Sequence, residues 1–288
     1  PSNLSTISLS NITTYGSSFQ LLQSLEAFPN LTTLYLRSND FRGRILGDGF
    51  LDLKNLEYLD LSYNTLNNNI FQTIGTMTSL KTLKLHSCNF SGQLPTTQGF
   101  LDFKNLEYLD LSYTTLNNSI FQTIGTMTSL KTLQLWGCNL NGQIPTTQGL
   151  CDLNHLEELD MSNNDLSGFL PPCLANLTSL QQLYLGSNHL KIPMSLSPLY
   201  NLLRLKSFDG SGNEIFVEED DHNMSPKFQL EYLYLSYNTL NNSIFQTIKM
   251  LTSLKILKLE DCSLNGQIPT TQGNVDDSYS FFRLCIFH

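Results

Sequence analysis

Six cysteines, five histidines, one tryptophan and a short acidic run are the side chains in this sequence best suited to chemistry. A thiol nucleophile needs a base beside it, and a metal site needs Cys or His at short, fixed spacings. Neither pattern is written here. Cys88, Cys138 and Cys262 recur inside near-identical strings, and His86, His155, His189, His222 and His288 are scattered. No glycine-rich phosphate loop occurs. The run Glu218, Glu219, Asp220, Asp221, His222 could hold a divalent cation only loosely, since nothing in its order fixes a coordination geometry, and a solvated loop is the simpler reading. The residues predict no catalytic group, no metal and no cofactor.

The elements that must carry these side chains repeat. The pattern L-x-x-L-x-L-x-x-N-x-L opens at Leu31, Leu56, Leu80, Leu106, Leu130, Leu156, Leu180, Leu205, Leu230 and Leu254, with a weaker copy at Leu4, at spacings of 24 to 27 residues. Leu59 and Leu61 in LEYLDLSYN alternate as a short strand with one face buried, and Asn64 can satisfy backbone groups where the chain leaves that strand. One such turn cannot bury its apolar face alone, so the turns must stack. The expectation is an α/β-type repeat solenoid: a right-handed leucine-rich-repeat superhelix of about eleven turns with one parallel sheet on its concave face. Residues 1–273 form the solenoid and 274–288 (NVDDSYSFFRLCIFH) a non-repeat tail. Net charge is −9, the wrong sign for a binder of phosphate backbones. No run approaches the roughly 18 to 20 apolar residues of a membrane span.

Several turns continue into G-x-I/L-P, at Gly92–Pro95, Gly142–Pro145, Gly168–Pro171 and Gly266–Pro269, which suits a tight corner onto the convex side. The extended string L-x-x-L-x-L-x-x-N-x-L-x-G-x-I-P resembles the plant-specific class of extracellular leucine-rich repeats. The passage GLCDLNHLEELDMSNNDLSGFLPPCLANLTSLQQLYL, residues 149–185, resembles plant receptor-like proteins of the disease-resistance type. The resemblance implies an outward-facing module that recognises a ligand in defence or development, joined to a membrane span in the full family member. Family members carry cysteine-paired caps that this sequence lacks, so the chain reads as an ectodomain segment. The resemblance further implies protein, peptide or glycan ligands and a co-receptor, an extracellular or plasma-membrane location, and no enzymatic activity. The alternative is a soluble inhibitor of a secreted enzyme, similar to the polygalacturonase-inhibiting proteins, which also carry caps.

Internal duplication points to the variable face. Residues 50–99 and 100–149 differ at 9 of 50 positions, and residues 230–273 differ from 106–149 at 10 of 44. In the second comparison 5 of the 10 x positions of the two strand motifs differ, against 5 of the other 34. The swaps include His86 for Trp136 and Trp136 for Glu260, which change recognition chemistry. Exposed positions that drift freely would give the same lean, so both readings stand.

The candidate ligand-binding residues are those on the outward strand positions: Tyr35, Arg37, Tyr58, Lys84, His86, Tyr108, Gln134, Trp136, Tyr184 and Tyr234, with Tyr232 beside them. Trp136 is the sole tryptophan, and an exposed Trp or Tyr supplies large contact energies at an interface. Ordinary cross-strand packing of aromatic rings is the competing explanation. Of eight N-x-S/T sequons, Asn3, Asn11, Asn89, Asn117, Asn223 and Asn241 are candidate glycosylation sites, whereas Asn30 and Asn176 sit just ahead of strand-opening leucines, where crowding would block transfer.

Cys88, Cys138 and Cys262 stand where the repeat usually has Asn, and are expected as buried small residues with weak S–H donors. Cys151 and Cys173 lie 22 residues apart, off the strand and close to one repeat. A disulfide needs Cα atoms about 4.4 to 6.8 Å apart, near the spacing of neighbouring turns. The bond would stabilise by roughly 3 kcal/mol, and it belongs to an oxidising compartment. Mass spectrometry of an unreduced digest of protein from a secretory host should find the two peptides joined; free thiols at both positions would remove the bond and weaken the case for secretion.

Overall fold

The computed structural model describes residues 3–12, 24–39, 53–67, 70–91, 103–146, 149–218 and 227–265. The chain divides into two compact units. The first comprises Pro1–Leu140 and Thr147–Leu156, the second Asn141–Thr146 and Glu157–His288. The expected boundary at 273, the tail 274–288 and the Gly92–Pro95 and Gly266–Pro269 motifs lie outside the described residues.

Each unit is a stack of turns, and each turn contributes one three-residue strand centred on the fourth position of the repeat. In the first unit these strands are Thr6–Ser8, Thr33–Tyr35, Tyr58–Asp60, Thr82–Lys84, Tyr108–Asp110 and Thr132–Gln134. They pair in parallel in chain order, so Leu34, Leu59, Leu83, Leu109 and Leu133 stand side by side. The second unit repeats the arrangement with Glu158–Asp160, Gln182–Tyr184, Ser207–Asp209, Tyr232–Tyr234 and Ile256–Lys258. The eleven strands confirm the expected repeat architecture and its parallel sheet. The inward leucines Leu59, Leu61, Leu83, Leu85, Leu109 and Leu111 are all buried, which supports the register.

The turn after each strand is held by an amide ladder. Asn64 Nδ2 donates to Leu36 O of the turn before (2.9 Å), and its Oδ1 accepts from Asn39 N (2.8 Å). The cysteines substitute at this place, Cys88 and Cys138 buried as expected and Cys262, on the last described turn, half-exposed instead. Sγ of Cys88, Cys138 and Cys262 donates to Leu61 O, Leu111 O and Leu235 O at 3.2, 3.1 and 3.0 Å. Thr114 does the same with its hydroxyl, onto Leu85 O at 3.1 Å. Burial pushes the Cys88 thiol up to about 12. The folded chain therefore holds this proton well above the ordinary thiol range, where the unfolded chain would release it, and Cys88 disfavours the fold as pH rises through that window. Native protein at pH 8 is expected to leave Cys88 unalkylated by iodoacetamide while denatured protein is fully labelled, as read by peptide mass. Rapid native labelling of Cys88 would contradict the ladder role.

The outer side departs from the expected tight corners. Gly142 and Gly168 lie inside strands Asn141–Gln143 and Asp165–Phe169 of a second parallel sheet, with φ of 68° and 79°. His189–Pro193 and Glu214–Phe216 complete this four-stranded layer of the second unit. The apolar segments between the sheets form short helices in the duplicated copies, Ile70–Gly75, Ile120–Ile124 and Ile244–Met250. Phe71 and Phe121 are fully buried there.

Candidate functional site

Because side chains alternate along a strand, the third and fifth residues of each motif leave the core when the fourth enters it. The strands accordingly read half-buried, buried, half-buried across most of the first unit. This open face gathers the first unit's candidates into two rows. In one, the Tyr35 and Tyr58 rings pack 5.1 Å apart, and Lys84 Nζ lies 5.8 Å from the Tyr58 ring centre and 5.4 Å from that of Tyr108. Burial, and then the nearby Asp60 carboxylate, push the Tyr58 phenol up to about 12, so it stays a neutral donor and acceptor throughout the physiological range.

The other row runs along the end of the strands. Arg37 lies 5.6 Å over the Tyr63 ring. Tyr63 meets His86 at 5.2 Å, His86 meets Tyr113 at 5.2 Å, and Tyr113 meets Trp136 at 4.2 Å, all edge to face. Tyr63 and Tyr113, which are not among the candidates the sequence offers, complete this row. Both fall at the eighth motif position, where the chain turns through a left-handed conformation, with φ of 61° and 57°. Each is 49% exposed. A tyrosine is an uncommon occupant of that conformation, and Ser38, Ser87 and Gly137 hold the same place in neighbouring turns.

The carboxylates of this face are committed to structure. Asp60 Oδ1 accepts from Ser62 N at 3.0 Å and its Oδ2 lies 3.5 Å from Arg37 Nε. Asp110 Oδ1 accepts from Ser112 N at 2.9 Å, with Oδ2 4.0 Å from His86 Nδ1. Both carboxylates thus brace the turn that presents the next tyrosine. Beside Arg37 a shallow groove of about 460 Å³ is lined by Thr6, Ser8, Ser10, Tyr35, Arg37 and Ser38. Gln134 lies half-exposed on the last strand of this unit.

The second unit carries a smaller set. Tyr184 Oη donates to Gln182 Oε1 at 2.5 Å, and burial pushes its phenol up. Lys258 Nζ lies 5.3 Å over Tyr234, and Tyr232 pairs in register with Ile256. Glu218 accepts from the hydroxyls of Ser195 and Ser197; the remainder of its acidic run lies outside the described residues. Among the described residues no group of His, Cys, Asp or Glu could hold a metal ion, and no helix is long and apolar enough to cross a membrane.

Cys151 and Cys173 are both disulfide-bonded. Asn3, Asn11, Asn89 and Asn117 are exposed and Asn241 half-buried, while Asn223 lies outside the described residues. Asn117 and Asn241 each accept the backbone N–H of the sequon serine, at 3.0 and 3.1 Å. Asn30 and Asn176 are exposed as well.

A family described as a leucine-rich repeat region matches residues 8–287. Receptor-like protein 9b of Arabidopsis thaliana is 52% identical over 46 residues, which is 16% of this chain and 5% of that protein. The plant peptide hormone receptor RGFR1, solved in complex with RGF2, is 26% identical with a TM-score of 0.64, covering 84% of this chain and 38% of that one. The Arabidopsis receptor kinase HAESA, solved with the peptide hormone IDA and the co-receptor SERK1, is 25% identical with a TM-score of 0.61, covering 91% and 47%. A TDR receptor structure is 25% identical with a TM-score of 0.69, covering 90% and 45%. The chain thus spans a small fraction of the curated relative and less than half of each of these receptor structures.

Proposed function

The chain belongs to the leucine-rich-repeat family, and from that premise we propose that it recognises an extracellular ligand on the open face of its sheet, as part of a plant receptor-like protein. The observation that carries this reading is the row Arg37, Tyr63, His86, Tyr113, Trp136. Five turns present large side chains to solvent in continuous contact, two of them from backbone positions that smaller residues fill elsewhere. Aromatic and arginine side chains are the usual anchors of binding interfaces. The duplicated copies, which keep their helices nearly unchanged, diverge at the strand positions that flank this row.

The solved relatives add the class of partner. Two of them hold peptide hormones and one a co-receptor as well, so a secreted peptide or protein, with a second receptor completing the complex, is the partner set to test here. Role in defence or development, the extracellular location and the absence of catalysis belong to the same proposal. The first unit's Tyr35, Tyr58, Lys84, Tyr108 and Gln134 extend the contact face, and Tyr184 and Tyr234 serve it in the second unit.

Phage-displayed peptide libraries panned against protein from a secretory host test the reading. Selected clones should lose binding to Trp136→Ala and keep it against Leu203→Ser, a change at an exposed residue off the sheet. Clones indifferent to every open-face substitution would overturn it.

A further inference from the structure

The contact geometry of the row distinguishes between ligand chemistries. Its rings succeed one another at 5.2, 5.2 and 4.2 Å, because each stands just past the strand of a successive turn and strands repeat at about 4.7–4.9 Å. An extended peptide laid along the row would present side chains of one face only at about every 6.6 Å, twice its rise per residue, and would fall out of step within a few turns. A β-1,4-linked glycan is a flat ribbon that places one ring at each step of roughly the strand pitch, and the apolar C–H face of each sugar stacks on an aromatic face. The three contacts here are edge to face, so each covers at most one face of one ring, and Arg37 lies over one face of Tyr63.

Charge points the same way. The polar groups of the row meet partners within it: Arg37 Nε lies 3.5 Å from Asp60 Oδ2, and His86 Nδ1 lies 4.0 Å from Asp110 Oδ2. Lys84 stands in register between Asp60 and Asp110. With His86 neutral, the charges of Arg37 and Lys84 match those of Asp60 and Asp110, so these four groups carry no net charge that would favour an anionic or a cationic ligand. At the Arg37 end the row meets the groove lined by the hydroxyl-bearing Thr6, Ser8, Ser10, Tyr35 and Ser38. Hydroxyls and uncharged rings are the complement of a polyol.

We infer that the row from Arg37 to Trp136 is a binding site for an uncharged β-1,4-linked oligosaccharide, with Tyr63 and Tyr113 as stacking platforms. The inference deepens the recognition reading, on which it rests, by naming the ligand class of the same face.

Trp136 is the sole tryptophan, so its emission reports directly from the site. Titration of the secreted chain with cellohexaose, followed by emission and by calorimetry, should give saturable binding. Tyr113→Gly, which removes the ring and relaxes the left-handed backbone without disturbing the core, should weaken it about tenfold or more. Tyr113→Phe should retain it, and so should Tyr237→Gly, the matching change in the second unit. An oligoglucuronate of the same length and linkage, carrying a carboxylate on every sugar, should bind more weakly. Absence of saturable cellohexaose binding, equal loss in Tyr237→Gly, or tighter binding of the oligoglucuronate would each overturn the inference. Peptides selected on the open face would survive that failure, so the recognition reading falls only by its own test.

Discussion

Replacing Asn188 with alanine should lower stability by about 3–5 kcal/mol, since it strands several buried polar groups at once. Asn188 Nδ2 donates to Leu185 O at 3.0 Å, to Gly186 O at 3.3 Å and to Met161 O of the preceding turn at 3.0 Å. Its Oδ1 accepts from Leu166 N at 3.0 Å, and the residue is 4% exposed. The sequence's own substitutions at equivalent places set the order of a series. Asn188→Cys would keep the bond to the carbonyl of the preceding turn, as Cys88 and Cys138 do, but leave Leu166 N unmatched, for a loss of about 1–2 kcal/mol. Asn188→Asp keeps the acceptor and turns a carboxylate toward three carbonyl oxygens, so it should be the worst of the three at neutral pH. Burial raises that carboxyl in the folded state. The Asp variant therefore keeps its stability below the ordinary carboxylate range and loses it as pH rises through and above that range. Urea midpoints measured between pH 4 and 8 check both the order and the sign. An alanine variant within about 1 kcal/mol of the parent would show that the ladder is not a principal support.

The ladder was legible in the sequence because it depends on residue type at a fixed place in the repeat. The same holds for the strand register and for the inward leucines, where period-2 alternation leaves one choice of face. The row of rings was only half legible. Arg37, His86 and Trp136 stand beside the strands and are found by counting. Tyr63 and Tyr113 stand one residue later, where only the left-handed turn brings their rings between those side chains, and backbone conformation is not written in composition. The second sheet escaped for a related reason. Its strands run three to five residues, and the Gly-x-I-P signal they contain serves equally for a corner or for a strand interrupted by a glycine. The stack decides between the two, since neighbouring turns offer Gly142 and Gly168 a partner edge.

Gly149→Ala is expected to cost about 3–5 kcal/mol, the sum of a left-handed backbone and a collision that cannot be relieved. Gly149 has φ of 100°, its N–H donates to Asp152 Oδ2 at 2.7 Å and its carbonyl accepts from Asp152 N at 2.9 Å, which opens the turn Leu150–Asp152. A Cβ there would lie 2.5 Å from Phe121 O and 2.9 Å from Phe121 C. Those atoms are backbone of the helix Ile120–Ile124, anchored by the fully buried Phe121 ring, so neither side can yield. The approach is mutual: a Cβ on Gly125 would come within 2.3 Å of Gly149 Cα. Comparison of the copies alone misleads here, because the third carries Lys249 where the second has Gly125. Gly142→Ala supplies the control. It shares a positive φ of 68° but would meet nothing within 4 Å, so it should lose only the strain of its backbone, about 1–2 kcal/mol. A difference of roughly 2 kcal/mol or more between the two variants in urea midpoints isolates the close approach. Equal losses would mean that conformational strain alone is what alanine brings at both sites, and that the helix and the turn are free to move apart.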